Sequence, residues 1–169
     1  MYKVLLAAAA LSVVACGPRV DSSAGQAASS TSARSQDSSF SALQQRGESA
    51  MGVNQYTSQH VFEPLPDGGR IVLQRKESDS AGAATIRAHM RSIAASFSKG
   101  DFAVPGFVHG MSAVPGTDVM KRLSTEISYV ATELPRGGQV RISSGNPGAV
   151  AAVHEFLAFQ RMDHRTEMH

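Results

Sequence analysis

Residues 127–143 read ISYVATELPRGGQVRIS, and this stretch carries the clearest structural signal in the chain. Apolar and polar residues alternate on both sides of the central PRGG, as in two strands of a sheet with one buried face. The turn at 135–138 contains a proline and two glycines, and glycine permits the positive φ angles that tight turns use. The stretch therefore predicts a β-hairpin.

The same plan occurs earlier, at residues 60–74, which read HVFEPLPDGGRIVLQ. A Pro-x-Gly-Gly turn at 66–69 again separates two apolar segments, so we expect a second hairpin. A helical pattern follows this hairpin and begins near Asp79, which offers an oxygen as N-cap. The pattern is an apolar stripe at i, i+4, i+7 and i+11, formed by Ile86, Met90, Ile93 and Phe97.

A second helix is predicted after the second hairpin, with Asn146 as N-cap and Pro147 in its first position. Its buried face is predicted to contain Val150, Val153 and Leu157. Residues 102–118, between the two halves, are rich in proline and glycine and are predicted to be irregular. These elements predict an α+β fold, a duplicated β-hairpin–helix unit (ββαββα) whose four-stranded antiparallel sheet carries two helices on one face.

The N-terminal segment predicts where the protein is located. Lys3 precedes an apolar run at 4–15 that is too short to cross a membrane and is typical of a signal peptide. Residues 13–16, VVAC, resemble the lipobox of bacterial lipoproteins. The resemblance implies cleavage before Cys16 and acylation of this cysteine, which anchors a chain to a membrane. In the enteric-type sorting of such lipoproteins, an aspartate after the cysteine favours the inner membrane. Gly17 stands there instead, so the resemblance implies the outer membrane, with the protein facing the periplasm.

Composition divides the chain into three segments. Residues 1–15 form the predicted signal peptide, and residues 16–50 are rich in Ser and Ala, which predicts a disordered tether. Residues 51–169 have the length of one small domain.

The net charge is only +2, without a basic stripe or an aromatic platform, so nucleic acid is not an expected partner. The expected partners are the membrane, through the lipid on Cys16, and an envelope protein within reach of the tether.

Two segments of the domain resemble an uncharacterised family of small bacterial proteins. One begins at residues 51–55, MGVNQ, and extends through the first hairpin turn, and the other is AVHEFLAFQ at 152–160. The resemblance covers nearly all of residues 51–166. It implies no particular activity, so no functional residue follows from it.

The domain lacks cysteine but is supplied with other metal ligands. Cys16 is the only cysteine of the chain, which excludes a structural disulfide and a thiolate metal cluster. All 6 histidines and all but one of the 7 methionines lie in residues 51–169. Neutral imidazole and thioether are ligands that suit copper, and thioether favours Cu(I).

Helical spacing selects candidates among these residues. His89 and His154 each flank the apolar stripe of their helix and are predicted to lean inward. His154 and His164 are separated by ten residues, about 15 Å along a helix, so they are not expected to share an ion. The predicted metal ligands are therefore His89 and His154, completed by His60, His109, Met120 or Met111.

Two classes of function remain open. The chain has no Gly-x-Ser-x-Gly motif, no phosphate-binding loop and no cysteine for a nucleophile after lipidation, so enzymatic activity is not expected. The first class is a lipid-anchored protein that binds a transition metal, copper first, through His and Met. The second is a metal-free interaction or structural module of the cell envelope. Clustered histidines favour the first class, and scattered histidines favour the second.

Overall fold

The structure is a computed structural model that describes residues 23–166, with side chains described from Asp37 onward. The predicted signal peptide, the lipobox with Cys16 and the first residues of the predicted tether lie outside the described residues. The chain divides into two compact units, Met1–Arg34 and Ser35–His169. The described part of the first unit is helical, and the second unit contains the sheet and the candidate site.

The second unit is built on one antiparallel sheet with the strand order β1-β2-β4-β3. This confirms the predicted α+β fold of the ββαββα type. In chain order the described α-helices and strands are α1 (Ser23–Met51), β1 (Ser58–Leu65), β2 (Gly68–Arg75), α2 (Ser80–Phe97), α3 (Ala103–His109), α4 (Thr117–Arg122), β3 (Ile127–Leu134), β4 (Gly137–Ser144) and α5 (Pro147–Asp163).

Both hairpins form where the sequence predicts them, with two-residue turns at 66–67 and 135–136. The glycines begin the returning strands rather than forming the turns. Gly68 alone among these glycines has a positive φ, 142°. At Gly137 a side chain is excluded for another reason, because a Cβ atom there would collide with the carbonyl oxygen of Leu73. Gly137 therefore allows β2 and β4 to approach closely.

The two long helices on the sheet begin at the predicted caps. The side chain of Asp79 accepts a hydrogen bond of 2.9 Å from the backbone N–H of Gly82. The side chain of Asn146 accepts one of 2.8 Å from Gly148, and Pro147 is the first residue of α5. The predicted stripe of α2 is buried, whereas the buried face of α5 differs from the prediction because Val150 is only half-buried. The buried residues of α5 are Ala149, Ala152, Val153, Phe156, Leu157 and Gln160.

The sequence predicted that residues 102–118 are irregular, but the structure contains helices in this region. Pro105 lies in the first turn of α3, where the missing N–H of proline costs no helical hydrogen bond. Gly110 ends α3 with a φ of 65°, and Gly116 precedes α4 with a φ of 82°. The prolines and glycines therefore delimit two short helices instead of preventing them.

The predicted disordered tether is helical from Ser23 onward and forms α1. The side chain of Leu43 is only 3% exposed, and Arg46 Nε donates a hydrogen bond of 2.8 Å to the carbonyl oxygen of Val108. Gly52, with a φ of 71°, ends the helix. The prediction of disorder is wrong for this segment, and the predicted boundary at residue 51 is too late, because the last turns of α1 pack on the domain.

The core lies between one face of the sheet and the two long helices. Helix α2 contacts mainly β3 and β4, and α5 contacts mainly β1 and β2. The fully buried side chains at the centre are Phe97, Phe156, Leu73, Ile86, Met120, Ile142, Leu157, Val140 and Val153. None of the described helices combines the length and the apolar character that crossing a membrane requires.

Candidate functional site: a buried histidine cluster

Four histidines from four parts of the domain line one small cavity of about 60 Å³. His60 lies on β1, His89 on α2, His109 is the last residue of α3, and His164 follows the last residue of α5. We call this space the histidine cavity. Three of its histidines belong to the predicted set of metal ligands, and His164 does not.

Strand register directs His60 into the molecule. His60 pairs with Leu73, and Phe62 pairs with Ile71, so these side chains share the inner face of the sheet. The rings of His60 and Phe62 are stacked, with centroids 5.3 Å apart. The ring of His164 lies 5.1 Å from that of His60 and 5.3 Å from that of Phe62. The two imidazoles are thus neighbours on an apolar wall.

His109 is held by two side chains at the end of α5. Its Nδ1 lies 2.5 Å from Asp163 Oδ2, and its Nε2 lies 2.9 Å from Gln160 Oε1. The side chain of His109 is 1% exposed, and its ring centroid is 5.1 Å from that of His164. Because both nitrogens are engaged, His109 links α3 to α5 and has no lone pair directed into the cavity.

Burial favours the neutral form of the other three histidines. Desolvation, with a smaller contribution from the nearby His89, lowers the pKa of His60 to about 4. Desolvation also lowers the pKa of His164 to about 2, with smaller contributions from His60 and His109, whereas Asp163 opposes the shift. The pKa of His89 is lowered by desolvation as well. At neutral pH these imidazoles are therefore uncharged, the form that coordinates metals.

Two thioethers line the same cavity, and the sequence analysis did not select either. Met51, at the end of α1, is 6% exposed, and Met90, in the stripe of α2, is 3% exposed. The sulfur of Met51 accepts a hydrogen bond of 3.8 Å from Gln55 Nε2. Within residues 23–166, no three His, Cys, Asp or Glu side chains are arranged to hold a metal ion. A metal site in the histidine cavity would therefore use at most two imidazoles, together with a thioether.

Three of the predicted ligands lie elsewhere. His154 Nε2 donates a hydrogen bond of 2.9 Å to the carbonyl oxygen of Leu65, at the far end of β1 from His60. Five steps along the strand, about 17 Å, separate Leu65 from His60. Because His60 and His89 line the same cavity, the prediction that His154 faces His89 across one site is wrong. Met120 is fully buried in the core, and Met111 is 40% exposed on the surface. Neither methionine lines the histidine cavity.

A signal for His164 was present in the sequence. Val153, Leu157, Gln160 and His164 follow one another at intervals of four, three and four residues, the same spacing as the apolar stripe of α2. The polar residues that surround His164 obscured this continuation of the buried face. His164 is 9% exposed, and Gln160 is 4% exposed.

Comparison with protein-family models, with curated proteins and with solved structures gives no match in any of the three. The function is therefore inferred from the residues and their arrangement.

Proposed function

We propose that this protein binds a transition-metal ion, copper first, in the histidine cavity. The proposed ligands are His60 and His164, with a thioether from Met51 or Met90. The observation that carries the proposal is the separation of 5.1 Å between the rings of His60 and His164. Two imidazoles that bind one tetrahedral ion through nitrogens at about 2.0–2.1 Å place their ring centroids roughly 5 Å apart.

The chemistry of the cavity favours Cu(I) among the transition metals. Imidazole and thioether together are soft ligands, and carboxylate does not line the cavity among the described residues. The depressed pKa values of His60 and His164 leave both imidazoles neutral, so no proton has to be displaced at neutral pH. His109, fixed by Asp163 and Gln160, positions α5 beside the site without being a ligand.

The proposal is tested with the full chain in a Cys16→Ser background, because a free thiol would itself bind Cu(I). Cu(I) affinity is measured by competition with a chromogenic Cu(I) chelator under reducing conditions. We expect stoichiometric binding, and we expect the double variant His60→Gln, His164→Gln to lose it. His154→Gln is the matched control, since His154 bonds to Leu65 outside the cavity.

Paired methionine variants test the thioether. Met51→Leu and Met90→Leu retain apolar volume but remove sulfur, and we expect at least one of them to weaken Cu(I) binding about tenfold or more. Met111→Leu serves as the exposed control. A wild-type chain that binds no Cu(I), or that loses as much affinity with His154→Gln as with His60→Gln, contradicts the proposal.

A second candidate function, the metal-free interaction module, is favoured by one surface feature. Phe107 is 53% exposed and Met111 is 40% exposed, and both line the same surface pocket beside α3. Exposed apolar side chains that lie together mark contact surfaces of proteins. If Cu(I) does not bind, the tethered domain is instead proposed to use this surface toward an envelope partner.

We also propose that the protein is a lipoprotein of the bacterial outer membrane, facing the periplasm. The support is the sequence VVAC at 13–16 and the glycine at position 17. An exported location agrees with a metal site made without cysteine, since thiols are readily oxidised outside the cytoplasm.

A further inference from the structure

A second pocket adjoins the histidine cavity and differs from it in character. It has a volume of about 440 Å³, within the range of small-molecule sites. His60 and His164 line both spaces and so form a shared wall. The remaining lining residues are polar: Gln44, Gln55, Ser58, Gln59, Lys76, Arg165 and Thr166. We call this space the polar pocket.

The charged side chains described in the lining of the polar pocket are all positive. Lys76 and Arg165 contribute cations, and no carboxylate side chain is among the described residues that line it. Arg165 pairs with Asp37 at 3.4 Å, but the Asp37 side chain is 77% exposed and lies outside the lining. A cationic lining without a carboxylate favours an anionic occupant.

Two lining residues of the polar pocket carry a buried polar atom that has no partner in the described part of the chain. Gln44 Oε1 and Thr166 Oγ1 are both buried and have no hydrogen-bond partner within the described residues. A buried polar atom that stays unpaired costs about 1–3 kcal/mol, so such atoms commonly face a ligand or water. Both residues line the polar pocket, and a hydroxyl can donate to an oxyanion whereas an amide oxygen can accept from a hydroxyl.

The backbone at Arg165 is also unusual. Its φ of 52° makes it the only non-glycine residue with positive φ in the described part of the chain. This conformation is uncommon for a residue with a Cβ atom. It turns the chain after His164, and the guanidinium carbon lies 4.3 Å from the ring centroid of Phe40. The guanidinium thus contacts Phe40 and Asp37, and Arg165 also lines the polar pocket.

From these observations we infer that the polar pocket binds a small anion through phosphate or carboxylate oxygens, with Lys76 and Thr166 as direct contacts and Arg165 in the lining. The anion site is distinct from the proposed copper site, because His60 and His164 form the wall between the two spaces. Anion binding does not require the metal, so the two proposals fail or succeed separately.

The test uses the full chain, stripped of metal on a chelating resin and then freed of buffer anions. Inorganic phosphate in one arm and acetate in the other are titrated while backbone amide shifts are followed by NMR. We expect saturable shifts around Lys76 and Thr166 with at least one anion. The arm that binds more tightly identifies the preferred oxyanion.

Variants separate a site from general charge attraction. Lys76→Gln removes a charge-assisted contact and is expected to weaken binding about tenfold, and Thr166→Val removes the hydroxyl while preserving shape. Lys99→Gln is the control, because Lys99 is exposed and lines a different surface pocket. Absence of saturable shifts with both anions, or equal weakening by Lys76→Gln and Lys99→Gln, would overturn the inference.

Discussion

At the scale of single residues, the histidine cavity combines imidazoles with an apolar environment. His60 stacks on Phe62, and His164 contacts both rings. An uncharged imidazole tolerates such an environment, whereas a protonated one pays a desolvation penalty. The groups that face these two histidines are His89 from α2, His109 from α3 and Asp163 from α5. Of these groups, only the carboxylate of Asp163 favours the protonated form of a histidine. Acid should therefore destabilise the folded state, because His60 and His164 resist protonation there.

This gives a prediction for the metal-free protein. The pKa of His60 is about 4 in the folded state, against 6.5 ordinarily. The unfolded chain therefore binds more protons below pH 6.5, and the free energy of unfolding falls as the pH drops from 6.5 toward 4. Each such histidine contributes about 1.4 kcal/mol per pH unit within its window. Urea denaturation at pH 7, 6 and 5 measures the slope.

Two variants isolate the contribution of His60 to that slope. His60→Gln removes the titrating group, so its free energy of unfolding should depend less steeply on pH than that of the wild type. Gln59→Ala, at the neighbouring exposed position of β1, should keep the wild-type slope. An unchanged slope in His60→Gln would refute this account of the burial of His60.

At the scale of elements, the last turns of α1 belong to the folded domain. Leu43 is buried, and Met51 reaches the histidine cavity. Leu43→Ala is expected to lower the free energy of unfolding by about 2–5 kcal/mol, the usual cost of a large-to-small change in a core. Gln45→Ala, two residues away and exposed, should have little effect. Equal urea midpoints for the two variants would mean that this segment does not pack.

The close approach of β2 and β4 gives a second prediction at this scale. A Cβ atom at Gly137 would collide with the backbone of Leu73, whereas one at Gly145 would have no heavy atom within 4 Å. Gly137→Ala should therefore destabilise the protein by about 1–3 kcal/mol, as overpacking does. Gly145→Ala should be neutral or slightly stabilising. Thermal unfolding compares the pair, and similar melting temperatures would contradict the assigned role of Gly137.

Local patterns predicted the elements better than they predicted the site. The hairpins and long helices follow from alternation, turn residues and caps such as Asp79 and Asn146, all of which act over a few residues. The site depends on which residues meet across the fold. His89 and His154 are similar in sequence context, but α5 places His154 against Leu65 and brings His164 to His60 instead. Spacing within one helix does not contain that information.

The limit of local patterns also explains why the sequence predicted disorder where α1 forms. Its composition lacks enough apolar residues to fold alone, which favoured the prediction of disorder. Phe40, Leu43 and Met51 nevertheless fall on one helical face, three and eight residues apart. In the structure Leu43 and Met51 are buried, and Arg46 donates a hydrogen bond to the carbonyl oxygen of Val108. Tertiary contact decides the state of such a segment.

At the scale of the whole molecule, the proposed functions depend on where the protein resides. An exported, lipid-held protein meets copper in a compartment where cysteine ligands are vulnerable to oxidation. A diacylglycerol and a further acyl chain, at about 0.8 kcal/mol per buried CH₂, would hold the mature chain on a bilayer almost permanently. The helices that the structure describes do not offer an alternative means of crossing a membrane.

The anchor prediction rests on Cys16, because the resemblance to the lipobox implies that the thiol of this cysteine is acylated. Cys16→Ser should leave an unprocessed precursor or move the protein to the soluble fraction, as measured by cell fractionation and the mass of the product. Gly17→Asp keeps the cysteine and should keep the lipid, but in enteric-type sorting it should shift the protein from the outer to the inner membrane. A Cys16→Ser chain that is cleaved and membrane-bound like the wild type would rule out lipidation at this residue. A Gly17→Asp chain that stays in the outer membrane would refute the sorting argument alone, since attachment and sorting depend on different residues.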